Sequence, residues 1–100
     1  MVHHIILWKI QADKTEEEKK EIMENVKKGL EGLVGQVPGL ERAHVQTEKL
    51  TSSTVDLMLD SVFTDAESLV NYKTHPAHVH VADTYVRPYM ELRTCIDYED

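Results

Sequence analysis

The chain has one cysteine, three prolines and four glycines, and no apolar run long enough to cross a membrane. A lone thiol, Cys95, cannot close an internal disulfide, so a reducing cytoplasm is the expected compartment. So few glycines leave no phosphate-cradling pattern, and no serine sits in a strand–turn–helix motif. Basic charge is also scarce. Eleven Lys and Arg face 18 Asp and Glu, a formal charge of −7, which argues against nucleic acid or an anionic membrane as partner. The opening Val2-His3-His4-Ile5-Ile6-Leu7-Trp8 is too short for a signal-peptide core and lacks a preceding basic region, so no targeting segment is expected.

What remains is an ordinary globular composition in 100 residues, enough for one core, and a single domain over 1–100 is expected. Val2 to Ile10 is β-rich and apolar on both sides of its period, so a strand buried on both faces is predicted. Thr15 is placed as an N-cap with Glu16 to Glu18 in the first helical turn. Ile22, Val26, Leu30, Leu33 and Val37 then recur at helical spacing, and Gly35 or Pro38-Gly39 ends that run. Strands are predicted over Leu40–Thr47 and Val55–Phe63. Asp65 caps a short helix to about Tyr72, and Pro76 opens another to about Val86. A last strand covers Leu92–Tyr98, with Cys95 expected as a buried, reduced thiol.

The order β-α-β-β-α-β is the ferredoxin-like α+β arrangement, an antiparallel sheet with helices on one face. The other face, to which Ile6, Trp8 and Met58 are assigned, would stay wet in a monomer. A contiguous apolar sheet face predicts a homodimer packed sheet to sheet.

These residues also resemble a known family, the stress-responsive A/B barrel (Dabb) domain. The likeness runs through Val2–Lys9, the Val37-Pro38-Gly39-Leu40 turn, Asp56-Leu57-Met58-Leu59 through Phe63, His75-Pro76-Ala77-His78, Val86-Arg87-Pro88 and Asp97-Tyr98. The resemblance implies a dimeric α+β barrel. One branch of the family cyclises polyketides without a cofactor. In that branch a tyrosine and the second histidine of His-Pro-x-His face a pocket, matched here by Tyr72 and His78, and an early pocket histidine is matched by His4. A histidine at the start of the third strand is replaced here by Asp56.

The chemistry of the residues supports a site on its own terms. Histidine titrates near neutral pH and serves as a general base without special tuning, while a tyrosine hydroxyl can donate to a developing oxyanion. His78 and Tyr72 flank a helix break and are the candidate catalytic pair; His4, Ile6, Trp8, Asp56, Met58 and His75 are the candidate ligand contacts. His75 is expected at the helix entrance and His80 on the outer face near Asp83. On one helix His78 and His80 diverge by about 200°, so no metal site is predicted, and no cofactor. The leading expectation is a homodimer that binds a small, largely apolar organic molecule between sheet and helices. The alternatives are a cofactor-independent lyase or cyclase, with His78 as base and Tyr72 orienting a carbonyl, and a non-catalytic structural dimer.

Overall fold

The computed structural model describes residues 1–100. Alternation sorts the first strand, β1 (Val2–Ile10), into two faces. Val2, His4, Ile6, Trp8 and Ile10 are all buried, whereas Leu7 is 36% exposed. β1 pairs antiparallel with β3 (Leu57–Phe63) on one side and β4 (Met90–Glu99) on the other, and β2 (Leu40–Gln46) extends the sheet beyond β3. The order is β2-β3-β1-β4, so each helical crossover steps over a strand, the split-βαβ signature of the ferredoxin-like fold. No helix is long and apolar enough to cross a membrane.

Helix α1 (Glu16–Glu31) begins at a capping box. The Thr15 hydroxyl accepts from Glu18 N at 3.1 Å, and the Glu18 carboxylate accepts from Thr15 N at 3.0 Å. It buries Ile22, Val26 and Leu30, one stripe at helical spacing, against the sheet. The turn into β2 needs Gly39, whose φ of +83° favours a residue without Cβ; an added Cβ would sit 2.1 Å from Ser68 Oγ. Helix α2 (Ala66–Thr74) starts at Asp65, whose carboxylate accepts from Ser68 N at 2.7 Å.

Pro76 ends α2 and starts the next helix. A residue before proline is pushed out of the helical region, and His75 is extended at φ −63°, ψ 130°. His75 caps α3 (Pro76–Val81), its ring Nδ1 accepting from Ala77 N at 3.1 Å. The helical path continues through a π-type turn at Ala82–Val86 and a 3-10 turn at Arg87–Tyr89. The helical run thus reaches Val86, as the sequence predicts, with a widened last stretch.

Three expectations need correcting. Ile6 and Trp8 belong to the helix-covered face, because they share the even register with His4 and Ile10. The open face instead carries Ile5, Leu7, Met58, Leu92, Ile96 and Tyr98, by the pairings Ile5↔Ile96, Leu7↔Met58, Lys9↔Leu92 and His3↔Tyr98. Cys95 is exposed, not buried, because the helices stop short of β4 and leave that strand's residues largely uncovered. The regular part of β3 begins at Leu57, two residues later than expected, because Val55 and Asp56 still belong to the connection from β2.

Candidate functional site

Between the covered sheet face and the α2–α3 segment lies a cavity of about 450 Å³. Its floor is His4, Ile6 and Trp8 of β1 with Leu59 of β3; Leu30 of α1 and Val86 close the apolar side. Tyr72 and His78 enter from α2 and α3. They meet because His75 and Pro76 turn the chain between them. Their ring centroids are 4.0 Å apart at an interplanar angle of 32°.

Tyr72 is almost fully buried, edge-on to Phe63 at 5.0 Å and to His4 at 6.1 Å. Burial pushes its phenol well above the usual tyrosine range, so it stays a hydroxyl and a donor. Burial also pulls the His78 imidazole below 6.5, so it is neutral at pH 7. Its Nδ1 is buried with no hydrogen-bond partner. An unpaired buried polar atom is costly, and here the backbone of Lys73 and of Tyr72 lies close enough to the ring to oppose part of the effect of burial.

His4 is held from behind. Its Nδ1 bonds the carboxylate of Asp97, its paired residue across β1 and β4. Burial depresses the His4 pKa against the opposing pull of Asp97. For Asp97, partial burial works upward, but the bond from His4, with Cys95 and Lys73 adding to it, leaves the carboxyl below its ordinary range. A neutral imidazole therefore donates Nδ1–H to an ionised carboxylate, which leaves Nε2 as the ring's acceptor. Ser61, buried directly opposite His4 on β3, donates to the His4 carbonyl at 2.7 Å. His4 is thus held from both neighbouring strands, its ring by Asp97 and its backbone by Ser61.

Beside it, Cys95 Sγ is 3.7 Å from His4 Nδ1 and 3.4 Å from Asp97 Oδ1. The three donor atoms lie within 4.8 Å of one another, the one place where the chain gathers metal-type ligands. Tetrahedral zinc would need a fourth donor, and Lys73 Nζ, 3.9 Å from Asp97 Oδ2, competes for the same carboxylate. Partial desolvation first, then the Asp97 carboxylate, raises the pKa of the largely exposed Cys95, so the thiol stays protonated.

Of the residues proposed from sequence, His4, Ile6, Trp8, Tyr72 and His78 come together at the cavity, and Asp56, Met58 and His75 do not. Asp56 accepts from Ile10 N at 2.7 Å and pairs with Lys49 at 2.7 Å, tying the end of β1 to the β2–β3 connection. Met58 pairs with Leu7 and faces the other side of the sheet. His75 spends its ring nitrogen on the α3 cap. His80 is exposed, as expected. Sequence reasoning missed Asp97, Lys73 and Arg93. Alternation along β4 carries the signal, since Arg93, Cys95 and Asp97 share the face that Trp8, Ile6 and His4 present across the register.

Four consecutive residues, Met90 to Arg93, line the cavity, which a regular alternating strand does not permit. A register shift between Lys9 and Ile10, paired with Leu92 and Met90, leaves Glu91 as the extra residue of a bulge. Glu91 then accepts from Ala12 N at 3.2 Å and lies 3.7 Å from Lys9.

Fold and site together define a ferredoxin-like α+β domain with a partly open, His- and Tyr-bearing cavity. The sequence model of the stress-responsive A/B barrel domain matches residues 2–100, and the chain belongs to that family. A dimeric protein of unknown function with a ferredoxin-like fold from Bacteroides fragilis is 30% identical, with a TM-score of 0.92 over 99% of this chain and 95% of that one. A Dabb family protein from Mesorhizobium loti superposes at TM-score 0.76 with 19% identity, covering 99% and 95% of the two chains. Hydroxynitrile lyase from Passiflora edulis shares the fold at TM-score 0.70 and 14% identity, covering 97% and 90%. No curated protein matches the chain.

Proposed function

We propose that this protein is a homodimer whose subunits each bind a small, largely apolar organic molecule in the cavity between sheet and helices. One observation carries the binding reading. A cavity of about 450 Å³, within the range of small-molecule sites, is lined by His78 and Tyr72, their rings 4.0 Å apart. The dimer reading rests on the open sheet face, where Ile96 is 60% and Tyr98 47% exposed. The Bacteroides fragilis relative, described as dimeric, supports it. A reducing cytoplasm suits the single free thiol, and the family's name supports a role in stress response.

The same two residues favour a second reading, cofactor-independent proton-transfer catalysis. The His78 imidazole takes a proton from a carbon acidified by a neighbouring carbonyl, and the Tyr72 hydroxyl donates to the carbonyl oxygen as charge gathers there. The imidazolium then returns the proton to the leaving or product atom. The hydroxynitrile lyase is a fold-level precedent only.

The test is a metabolite screen on the wild type beside His78→Ala. Trp8, the only tryptophan, lines the cavity and reports occupancy by its emission. Ligands that shift Trp8 emission and bind more weakly to His78→Ala support binding. Turnover of such a ligand, lost in His78→Ala with the fold intact, supports catalysis. A screen in which no ligand moves Trp8 overturns both.

A further inference from the structure

The cavity is electrostatically unlike the rest of the chain. Across the whole sequence acids outnumber bases, 18 to 11, yet the lining holds three bases, Lys73, Arg87 and Arg93, and one acid, Glu91. Two of these four are already engaged. Arg87 pairs with Asp83 one helical turn back, and Glu91 takes Ala12 N and Lys9. Lys73 reaches Asp97 only at 3.9 Å. Arg93 makes no side-chain hydrogen bond and no ion pair, alone among the bases of the site. Its register explains its position: paired with Trp8 across β1 and β4, it stands on the cavity side of the sheet. Its charge acts on Tyr72, His4 and Cys95, which places it within electrostatic reach of the phenol.

The cavity therefore combines an apolar wall with a few polar groups. Ile6, Leu30 and Leu59 make the wall apolar, continued by Trp8, the cross-strand neighbour of Arg93. Against it stand an unpaired guanidinium, a hydroxyl donor without a partner and the Lys73 ammonium, held by Asp97 only at 3.9 Å. A guanidinium with no partner, beside a buried hydroxyl donor, is matched by an anionic oxygen pair, and guanidinium fits a planar carboxylate in both directions. We infer that the ligand is an amphipathic organic acid, its carboxylate held by Arg93 with Tyr72 and Lys73 and its apolar body against Trp8, Leu30 and Leu59. This inference rests on the ligand-binding reading of the cavity and names the class of ligand.

Octanoate and 1-octanol, equal in chain length and differing in head group, separate the two claims. Binding is followed by calorimetry and Trp8 emission at neutral pH, in wild type, Arg93→Gln and Arg93→Lys. A charged hydrogen bond is worth about 1.5–3 kcal/mol, so octanoate should bind the wild type roughly tenfold or more tightly than octanol. That preference should fall to about one in Arg93→Gln and return in part in Arg93→Lys. Equal binding of the two ligands by the wild type overturns the acid, as does a preference that survives Arg93→Gln, while the cavity reading stands. Failure of both ligands to bind the wild type overturns the cavity reading and the inference with it. Arg93 is exposed and unpartnered, so unchanged urea midpoints in both variants confirm that recognition, not folding, is being read.

Discussion

The imidazole of His4 donates to the carboxylate of Asp97, the residue paired with it on the neighbouring strand, 93 positions away in sequence. The bond joins a buried group to a half-buried one, and it decides which nitrogen of the ring is free. Replacing Asp97 by Asn removes the charge and keeps the shape. The Asp97→Asn protein should lose about 1 kcal/mol, the modest end of a charge-assisted bond because the carboxylate is partly solvated. The His4 pKa should fall further, since the raising influence of Asp97 is gone. Urea denaturation and histidine NMR titration read the two effects, and a His4 pKa that rises in the variant would sink the pairing argument.

Acid should weaken the fold in a defined window. His4 and His78 both titrate below the ordinary 6.5 because burial disfavours the imidazolium. As pH falls below 6.5 the unfolded chain takes up protons before the folded one, and each proton bound favours unfolding. Stability is therefore fullest above pH 6.5 and declines through the lower folded-state values. Asp97, held below 3.8 in the folded state, adds its own loss only in stronger acid. The urea midpoint at about pH 5.5 should lie below that at about pH 7.5, and His78→Asn should flatten the difference. A midpoint that does not move over that range contradicts the burial of both rings.

Ile96 stands opposite Ile5 on the face of the sheet away from the helices. A charge there would be desolvated on association, so Ile96→Glu should convert the dimer to a monomer at micromolar concentration while secondary structure persists. Light scattering reads the mass directly. A wild type that is monomeric at that concentration, or a variant that stays dimeric, removes this face from the interface.

At Gly39 both backbone and neighbours refuse a side chain. Its φ of +83° strains any L-residue, and a Cβ would overlap Ser68 Oγ, which already contacts Thr64 at 3.1 Å. Gly39→Ala should cost about 2 kcal/mol or more. Gly35 has a comparable φ of +92° but open space around its Cβ position, so Gly35→Ala should cost only the backbone strain, about 1 kcal/mol. Thermal denaturation of the two variants side by side should rank them in that order.

The fold was legible because its signals are local. The Thr15 and Asp65 caps, the spacing of Ile22, Val26 and Leu30, and Pro76 at a helix start depend on neighbours in sequence, and each appears where periodicity placed it. Tyr72 and His78 were legible for the same reason, since the break that joins them is written in His75-Pro76. What escaped is what depends on pairing between distant strands. Asp97 behind His4 and Arg93 beside Trp8 follow from the β1–β4 register, and no run of adjacent residues announces a register. Cys95 escaped through coverage. Its apolar character and strand position suggested burial, but how far helices extend over an edge strand is a matter of their lengths and packing. The expectation that Ile6 and Trp8 lie on the open face fails because period-2 alternation groups them with His4.

The two faces of β1 carry different duties on interleaved residues. Substituting an odd position perturbs association, and substituting an even one perturbs the cavity, so the two properties can be changed separately by point mutation. They share one dependency, the parity of the strand. Deleting one residue between the ends of β1 would send Trp8 to the open face and Leu7 toward the cavity, exchanging the audiences of every side chain beyond the deletion. This segment should therefore tolerate substitution at single positions and reject any change in its length.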